Sequence, residues 1–280
     1  MRSIFVDKVA SVAQSSDLSH ELRLSTDIPC EEGVLIAVRV LNNKTRYNQL
    51  ELTSGRMATV NQDDIVVGAL GHRKALLGYS GHLPQQLEIG ETIQLLNIGG
   101  VLGICDSVNP DVGAPFDCEV LGTVLHFPYL GERIGVPARV GAKALDTNAR
   151  LDTRGIPVIA LAGTCMDSGK TAAACAIVSR LRHRGMKISA CKATGVSLRR
   201  DILAMEDAGA ANSMIFSDLG IVTTTPDNGP ALTRELLSSL AELQPDVIVI
   251  ELGDGLLGAY GVEAILADKE IHDAFTVVIL

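Results

Sequence analysis

One short segment of the sequence has the residue types that are needed to hold a polyphosphate. The segment Gly163–Thr171 reads Gly-Thr-Cys-Met-Asp-Ser-Gly-Lys-Thr. Successive backbone amides in such a loop can surround phosphate oxygens, and the positive end of a following helix favours the same anions. Gly169 lacks a Cβ and lets the backbone approach, Lys170 brings positive charge, and Thr171 offers a hydroxyl to Mg²⁺. We expect phosphate contacts from Gly163, Thr164, Cys165, Met166, Asp167, Ser168, Gly169, Lys170, Thr171 and Ala172.

The flanking sequence supplies the elements that must position this loop. The apolar run Ile156–Ala162 predicts a buried strand before it, and an Ala-rich stretch from Gly169 or Lys170 to Gly185 predicts a helix after it. From Ile156 onward, apolar runs alternate with helical stretches, which indicates a parallel sheet with crossover helices. A turn that binds nothing is the alternative, but the strand, the helix and the Lys-Thr pair together favour a phosphate site.

Two later strands end in charged residues that would face the same crevice. Lys192 ends the predicted strand Lys187–Lys192, and Glu251 ends the predicted strand Asp246–Glu251. Ligands of open α/β sheets bind at the carboxyl ends of the strands, so both side chains are candidates for the site. We expect Glu251 to lie across from Thr171 and to hold Mg²⁺ or its water.

The pattern Gly-Thr-x-x-x-x-Gly-Lys-Thr resembles the P-loop of dethiobiotin synthetase and its relatives in the MinD-like branch of P-loop proteins. The resemblance covers about Ile156–Leu280. It departs from the usual pattern because five residues separate Gly163 from Gly169 and Thr164 replaces the usual first glycine. The segment after Glu251 is similar to that family's Glu-Gly-x-Gly-Gly, with Leu252 intruding.

The resemblance implies roles for residues outside the loop. Lys192, in a Lys-Ala-Thr-Gly setting one residue shorter than the family's, would hold the acceptor or the γ-phosphate. An Asp-Ala pair on the next connection implies a carboxylate that meets Mg²⁺, for which Asp207 is the best match and Asp201 the reserve. Lys170 and Lys192 are therefore the catalytic candidates. The metal candidates are Thr171, Asp207 and Glu251.

Together, these residues and the resemblance predict an enzyme that uses Mg-ATP to phosphorylate a small carboxylate- or carbamate-like substrate. The added N-terminal region and the loop departures argue against dethiobiotin synthesis itself. Two alternatives stay open: a nucleotide-gated switch of the MinD-like kind, although Cys165 stands where those proteins carry an extra lysine, and an acyl transferase whose loop binds a phosphate-bearing cofactor such as coenzyme A.

The N-terminal half has a different pattern, with short apolar runs separated by glycines. This spacing predicts a small β-rich domain, either a barrel or a sandwich, over residues 1–150, followed by a P-loop α/β domain over 151–280. The terminal run Phe275–Leu280 predicts a strand with nothing after it, so we expect a longer chain or a second chain to complete the fold. The N-terminal strands are predicted at Val34–Leu41, Gln49–Thr53, Ile65–Leu70, Thr92–Leu96, Val101–Ile104 and Glu119–His126.

Composition restricts the remaining classes of function. The net charge of −9 argues against nucleic-acid binding through a basic surface. The six cysteines show no C-x-x-C pair and no metal-ligand spacing, which fits a reducing cytoplasm. The first residues lack the long apolar stretch of a signal peptide, and no apolar run is long enough to cross a membrane, so we expect neither element. We expect a cytoplasmic homodimer or larger oligomer that binds a nucleotide and a small-molecule substrate.

Overall fold

The structure is a computed structural model that describes residues 1–75, 78–129, 131–141 and 144–280. The chain divides into two compact units. Unit 1 comprises residues 1–142 together with 220–222, and unit 2 comprises 143–219 together with 223–280. The division falls a few residues before the expected boundary at 150/151. In the described part of the chain, no helix is long and apolar enough to cross a membrane.

Unit 1 is built from β-strands that form a large mixed sheet and a small two-stranded one. β4 and β7 are buried along nearly their whole length, which explains their continuous apolar sequence. The strands are β1 Arg2–Phe5, β2 Lys8–Val9, β3 Glu21–Ser25, β4 Leu35–Val40, β5 Gln49–Glu51, β6 Met57–Thr59, β7 Ile65–Leu70, β8 Tyr79–His82, β9 Thr92–Leu95, β10 Val101–Val108, β11 Phe116–His126 and β12 Val136–Pro137.

Five strands of the mixed sheet pair in a closed circuit. β11 pairs with β4, β4 with β7, β7 with β10, β10 with β9, and β9 again with β11. Such closure removes exposed edges from these five strands. The circuit is tight where β7 meets the start of β10, because a Cβ on Gly68 would lie 2.3 Å from Gly100 O.

Unit 2 is an α/β unit with a five-stranded parallel sheet. The strand order is β15-β14-β16-β13-β17, so the strand before the 163–171 loop lies beside the strand that ends in Glu251. The elements are β13 Val158–Leu161, α1 Lys170–Arg182, β14 Ile188–Lys192, α2 Arg200–Asp207, β15 Asn212–Ile215, α3 Gly229–Glu242, β16 Val247–Glu251, α4 Val262–Ala267, α5 Lys269–Ala274 and β17 Val277–Ile279.

The core of unit 2 fixes α1 on the sheet. One side of α1 contributes Ala174 and Val178 to a buried cluster with apolar residues of the strands and Met205 of α2. This packing sets where α1 begins and therefore where the preceding loop must turn. The strand members of the cluster are Leu161, Ile188, Ala190, Val247 and Val249.

The run Ile221–Pro226, rich in β-branched residues, predicts a strand or the end of one. The structure differs, because within this run only Thr223 makes a β-bridge, an isolated one to Val196. Thr224 explains the difference, because its hydroxyl accepts from Gly195 N at 2.8 Å and donates to Tyr260 O at 2.9 Å. Side-chain hydrogen bonds of this kind compete with a regular ladder.

Candidate functional site

The 163–171 loop curls between β13 and α1, as its sequence predicts. Lys170 is the first residue of α1, and Gly169 before it has a φ of 92°. Asp167 has a φ of 55°, so two residues of the turn adopt the left-handed conformation. Backbone that alternates in this way forms a concavity suited to anions. Met166 is half-buried, and the exposed side chains of the loop and of the start of α1 are those of Thr164, Cys165, Asp167, Ser168 and Ala172.

The loop closes over its own first residue. A Cβ on Gly163 would lie 2.4 Å from Ser168 Oγ and 3.2 Å from Lys170 Cδ. Gly163 O also accepts a hydrogen bond from Leu256 N at 2.9 Å, which ties the loop to the segment that follows β16. Glycine at position 163 therefore leaves room for the Lys170 side chain to turn back across the loop.

Lys170 is buried and directed into the loop. Its ammonium donates to Cys165 O at 2.7 Å, to Ser168 Oγ at 3.2 Å and to Asp254 O at 2.8 Å. Three contacts use the full donor capacity of an ammonium group. The contact to Asp254 comes from the segment after β16, so one lysine links the two loops at this edge of the sheet.

Thr171 and Glu251 meet at the same edge of the sheet. Thr171 Oγ1 donates to Glu251 Oε1 at 3.1 Å. Glu251 is 2% exposed, and its other oxygen, Oε2, has no hydrogen-bond partner among the residues described. A buried carboxylate oxygen without a partner is costly, which indicates that this position suits a cation or a proton.

The charge state of Glu251 reflects its surroundings. Burial raises the pKa of this carboxyl above its ordinary value, and the neighbouring carboxylate of Asp201 raises it further. The Lys192 and Lys170 ammonium groups and the hydrogen bond from Thr171 act in the opposite direction without cancelling the effect of burial. The ionised form of Glu251 is thus held at a free-energy cost that a bound cation would offset.

This raised pKa predicts a pH dependence of stability. The folded protein holds the Glu251 proton more tightly than the unfolded chain, so the free energy of unfolding should fall as pH rises from about 4.5 through the raised pKa. We expect urea unfolding in EDTA to show this decline relative to Glu251→Gln, which cannot ionise. Parallel pH profiles for the two proteins would contradict the prediction.

Lys192 lies next to Glu251 across the sheet, since the two are Cα partners in the β14–β16 ladder. Its ammonium makes an ion pair with Asp201, whose side chain is 15% exposed, while that of Lys192 is 11% exposed. Burial alone would lower the pKa of Lys192, but Asp201, Glu251 and Asp254 together raise it above its ordinary value. Lys192 therefore stays charged at the carboxyl ends of the strands.

Asp207 lies apart from this cluster. It is the last residue of α2 and is exposed, whereas Asp201 lies in the first turn of the same helix and contacts Lys192. Asp207 lies six positions after Asp201, so their backbones are about 9 Å apart along the helix axis. The structure thus brings Asp201, the reserve candidate, to the cluster in place of Asp207.

Two glycines of the segment after β16 allow it to pack against the site. A Cβ on Gly253 would lie 2.6 Å from Thr194 O and 2.9 Å from Lys192 Cε. A Cβ on Gly255 would lie 2.4 Å from Thr164 O. Glycine at these positions lets the backbone approach both the Lys192 side chain and the 163–171 loop.

Gly255→Ala should disturb the loop more than the rest of the fold. Because the nearest atom is backbone, the 163–171 loop or its neighbour must move, at a cost of about 1–3 kcal/mol for overpacking. We expect the affinity for the nucleotide that the sequence predicts, measured by calorimetry, to fall about tenfold. Leu257→Ala, which shortens a side chain 93% exposed in the same segment, should change the affinity less than twofold. Equal effects of the two substitutions would contradict the prediction.

Two contacts of the site were not predicted from the sequence. The carbonyl of Asp254 contacts Lys170, but a main-chain acceptor leaves no signature in residue types. The Lys192–Asp201 pair could have been found, because Asp201 follows the strand ending in Lys192 at the start of the next helix. Both groups lie at the sheet edge where parallel strands end.

Neither a scan against protein-family models nor a search of the curated proteins finds a match to this chain.

Proposed function

We propose that unit 2 is a P-loop domain that binds Mg-ATP, and that the chain is an enzyme activating a small carboxylate- or carbamate-like substrate by phosphoryl transfer. The observation that carries the proposal is the 3.1 Å hydrogen bond between Thr171 and Glu251, beside a Glu251 oxygen that lacks a described partner. A hydroxyl and a carboxylate brought together from separate elements are the protein ligands that Mg²⁺ uses in nucleotide sites.

The residues present fit a magnesium ion. Mg²⁺ is bound through one or two protein oxygens and takes the rest of its shell from phosphate and water. Among the described residues, no group of three or more His, Cys, Asp or Glu side chains could hold a metal without such help. Thr171 and Glu251 would hold the ion, and the ion would neutralise charge on the phosphate oxygens.

The loop also fits a polyphosphate. Lys170 is oriented across the loop, and its hydrogen-bond acceptors in the structure are neutral oxygens. A negatively charged phosphate oxygen would attract the ammonium more strongly than they do. The left-handed residues Asp167 and Gly169 shape the concavity, and α1 begins directly after it. Lys170 would stabilise the negative charge that develops on the phosphoryl group during transfer.

Lys192 is the candidate for contact with the substrate that accepts the phosphoryl group. Its ammonium stays charged at the carboxyl end of β14, beside the strand that bears Glu251. A positive group in this position would attract an anionic carboxylate or carbamate and hold it near the phosphates. This placement supports a phosphoryl-transfer enzyme rather than a simple nucleotide switch, which needs no acceptor site.

A ligand panel on the wild-type protein tests the proposal. Thermal shifts would be measured with ATP, ADP, GTP and coenzyme A, each with and without Mg²⁺, followed by ADP release in the presence of small carboxylates. We expect a Mg²⁺-dependent shift with ATP and ADP, and acceptor-dependent ADP release. Stabilisation by coenzyme A alone would favour the acyl transferase, and binding with no acceptor dependence would favour the switch.

A further inference from the structure

Two ammonium groups lie in the electrostatic surroundings of Glu251, and each is bound to another acceptor. Lys170 donates to three oxygens of the 163–171 and 252–258 segments. Lys192 pairs with Asp201, although it is the ladder neighbour of Glu251. The only hydrogen bond of the Glu251 carboxylate to a described residue comes from the neutral hydroxyl of Thr171.

The Lys192 side chain passes close to the backbone of two glycines. The positions where Gly253 and Gly195 would carry a Cβ are 2.9 Å and 3.6 Å from Lys192 Cε. The side chain therefore runs close along the backbone at both glycines, and Asp201 on α2 holds its charged end. The carboxylates that act on Lys192 are Asp201, Glu251 and Asp254, so Glu251 is the principal alternative acceptor at this edge.

We propose that Asp201 is a positioning residue that keeps the Lys192 ammonium off Glu251, so that the Glu251 carboxylate remains available to Mg²⁺. This inference rests on the proposed function, since it assigns the metal to Thr171 and Glu251. An ammonium paired with Glu251 would compete with the metal for the same oxygens. Asp201 removes that competition while leaving Lys192 charged at the crevice.

A double-mutant cycle separates this role from direct metal binding. Mg²⁺ would be titrated by calorimetry and thermal shift into protein saturated with ADP, for wild type, Asp201→Asn, Lys192→Met and the double variant. The ADP concentration is constant, so metal–nucleotide equilibria in solution are the same for all four proteins. We expect Asp201→Asn to weaken Mg²⁺ binding roughly ten- to a hundredfold, the range for a charged hydrogen bond.

The double variant gives the decisive result. Without the ammonium there is no competitor, so Lys192→Met in the Asp201→Asn background should restore Mg²⁺ binding to that of Lys192→Met alone. Asp201→Glu, which keeps a carboxylate, should lose less affinity than Asp201→Asn. A defect of Asp201→Asn that persists in the double variant would mean that Asp201 binds the metal itself, and it would overturn the inference.

Further measurements keep the test decisive. Circular dichroism and ligand-free melting show whether each variant is folded. If Asp201→Asn does not fold, Lys192→Met alone must bind Mg²⁺ at least as tightly as wild type, and weaker binding overturns the inference. An undiminished Mg²⁺ affinity in folded Asp201→Asn overturns it also. Wild-type protein that binds no ADP with Mg²⁺ overturns the proposed function and this inference together, whereas the other outcomes leave the proposed function intact.

Discussion

Lys170→Ala is expected to abolish the rise in melting temperature that the proposed binding of Mg-ATP should produce in the wild-type protein. The ammonium lies inside the loop and donates to Cys165 O and Asp254 O, so alanine at this position would remove the positive charge that the loop itself provides. At a ligand concentration near one hundred times Kd, mass action stabilises the folded state by about 2.7 kcal/mol, or about 5–10 °C in a chain of this size.

The matched control for this prediction is Lys269→Ala. Lys269 is an exposed lysine at the first position of α5, in the same unit as the loop. We expect Lys269→Ala to retain the full thermal shift. The Lys269 ammonium is exposed to water and salt, which screen its attraction to a bound phosphate. A Lys170→Ala protein that is folded and still shows the wild-type shift would remove the phosphate site from the 163–171 loop.

Much of unit 2 could be predicted from sequence because its signals are local. Apolar runs identify β13, β14 and β16, and their final residues identify Lys192 and Glu251 as candidates for one crevice, because parallel strands present their carboxyl ends on the same side. The direct pairing of these two residues in the β14–β16 ladder is known only from the structure. The Gly-Lys-Thr sequence is also a local signal: it predicts a helix start at Gly169 or Lys170, and α1 begins at Lys170.

What the sequence does not reveal depends on contacts between distant segments. The choice between Asp201 and Asp207 depends on which turn of α2 faces Lys192, and a short helix with acids at both ends does not specify this. The strand predicted at 221–226 fails because threonine favours strands in general, whereas the Thr224 hydroxyl bonds to backbone from two other loops.

In unit 1, six of the twelve strands that the structure describes were predicted from the sequence, whereas β1, β2, β3, β6, β8 and β12 and all the strand partners were not. The predicted strand at Ile65–Leu70 matches β7 as the structure has it, and β11 begins three residues before its predicted start. Pairing in the circuit is non-local: β11 contacts β4, β3, β9 and β12. Alternation of apolar residues identifies a strand and its faces, but the choice of neighbour follows from packing of the whole unit.

Glu251→Gln is expected to remove the Mg²⁺ dependence of nucleotide binding. The amide keeps nearly the same volume and can still accept the hydrogen bond from Thr171, so the local packing should survive. It lacks the negative charge, and its second group offers N–H donors where a cation needs an acceptor. We expect Mg²⁺ affinity in the presence of ADP to fall at least about a hundredfold, or about 2.7 kcal/mol.

Asp207→Asn is the matched control, and it also decides between the two carboxylates of α2. The resemblance of the sequence to dethiobiotin synthetase assigns metal contact to Asp207, but the structure leaves this residue exposed at the far end of the helix. We therefore expect Asp207→Asn to change Mg²⁺ affinity less than twofold. A large loss in Asp207→Asn, with Glu251→Gln unaffected, would place the metal away from the Thr171–Glu251 pair, and the assignment of both residues would have to be abandoned.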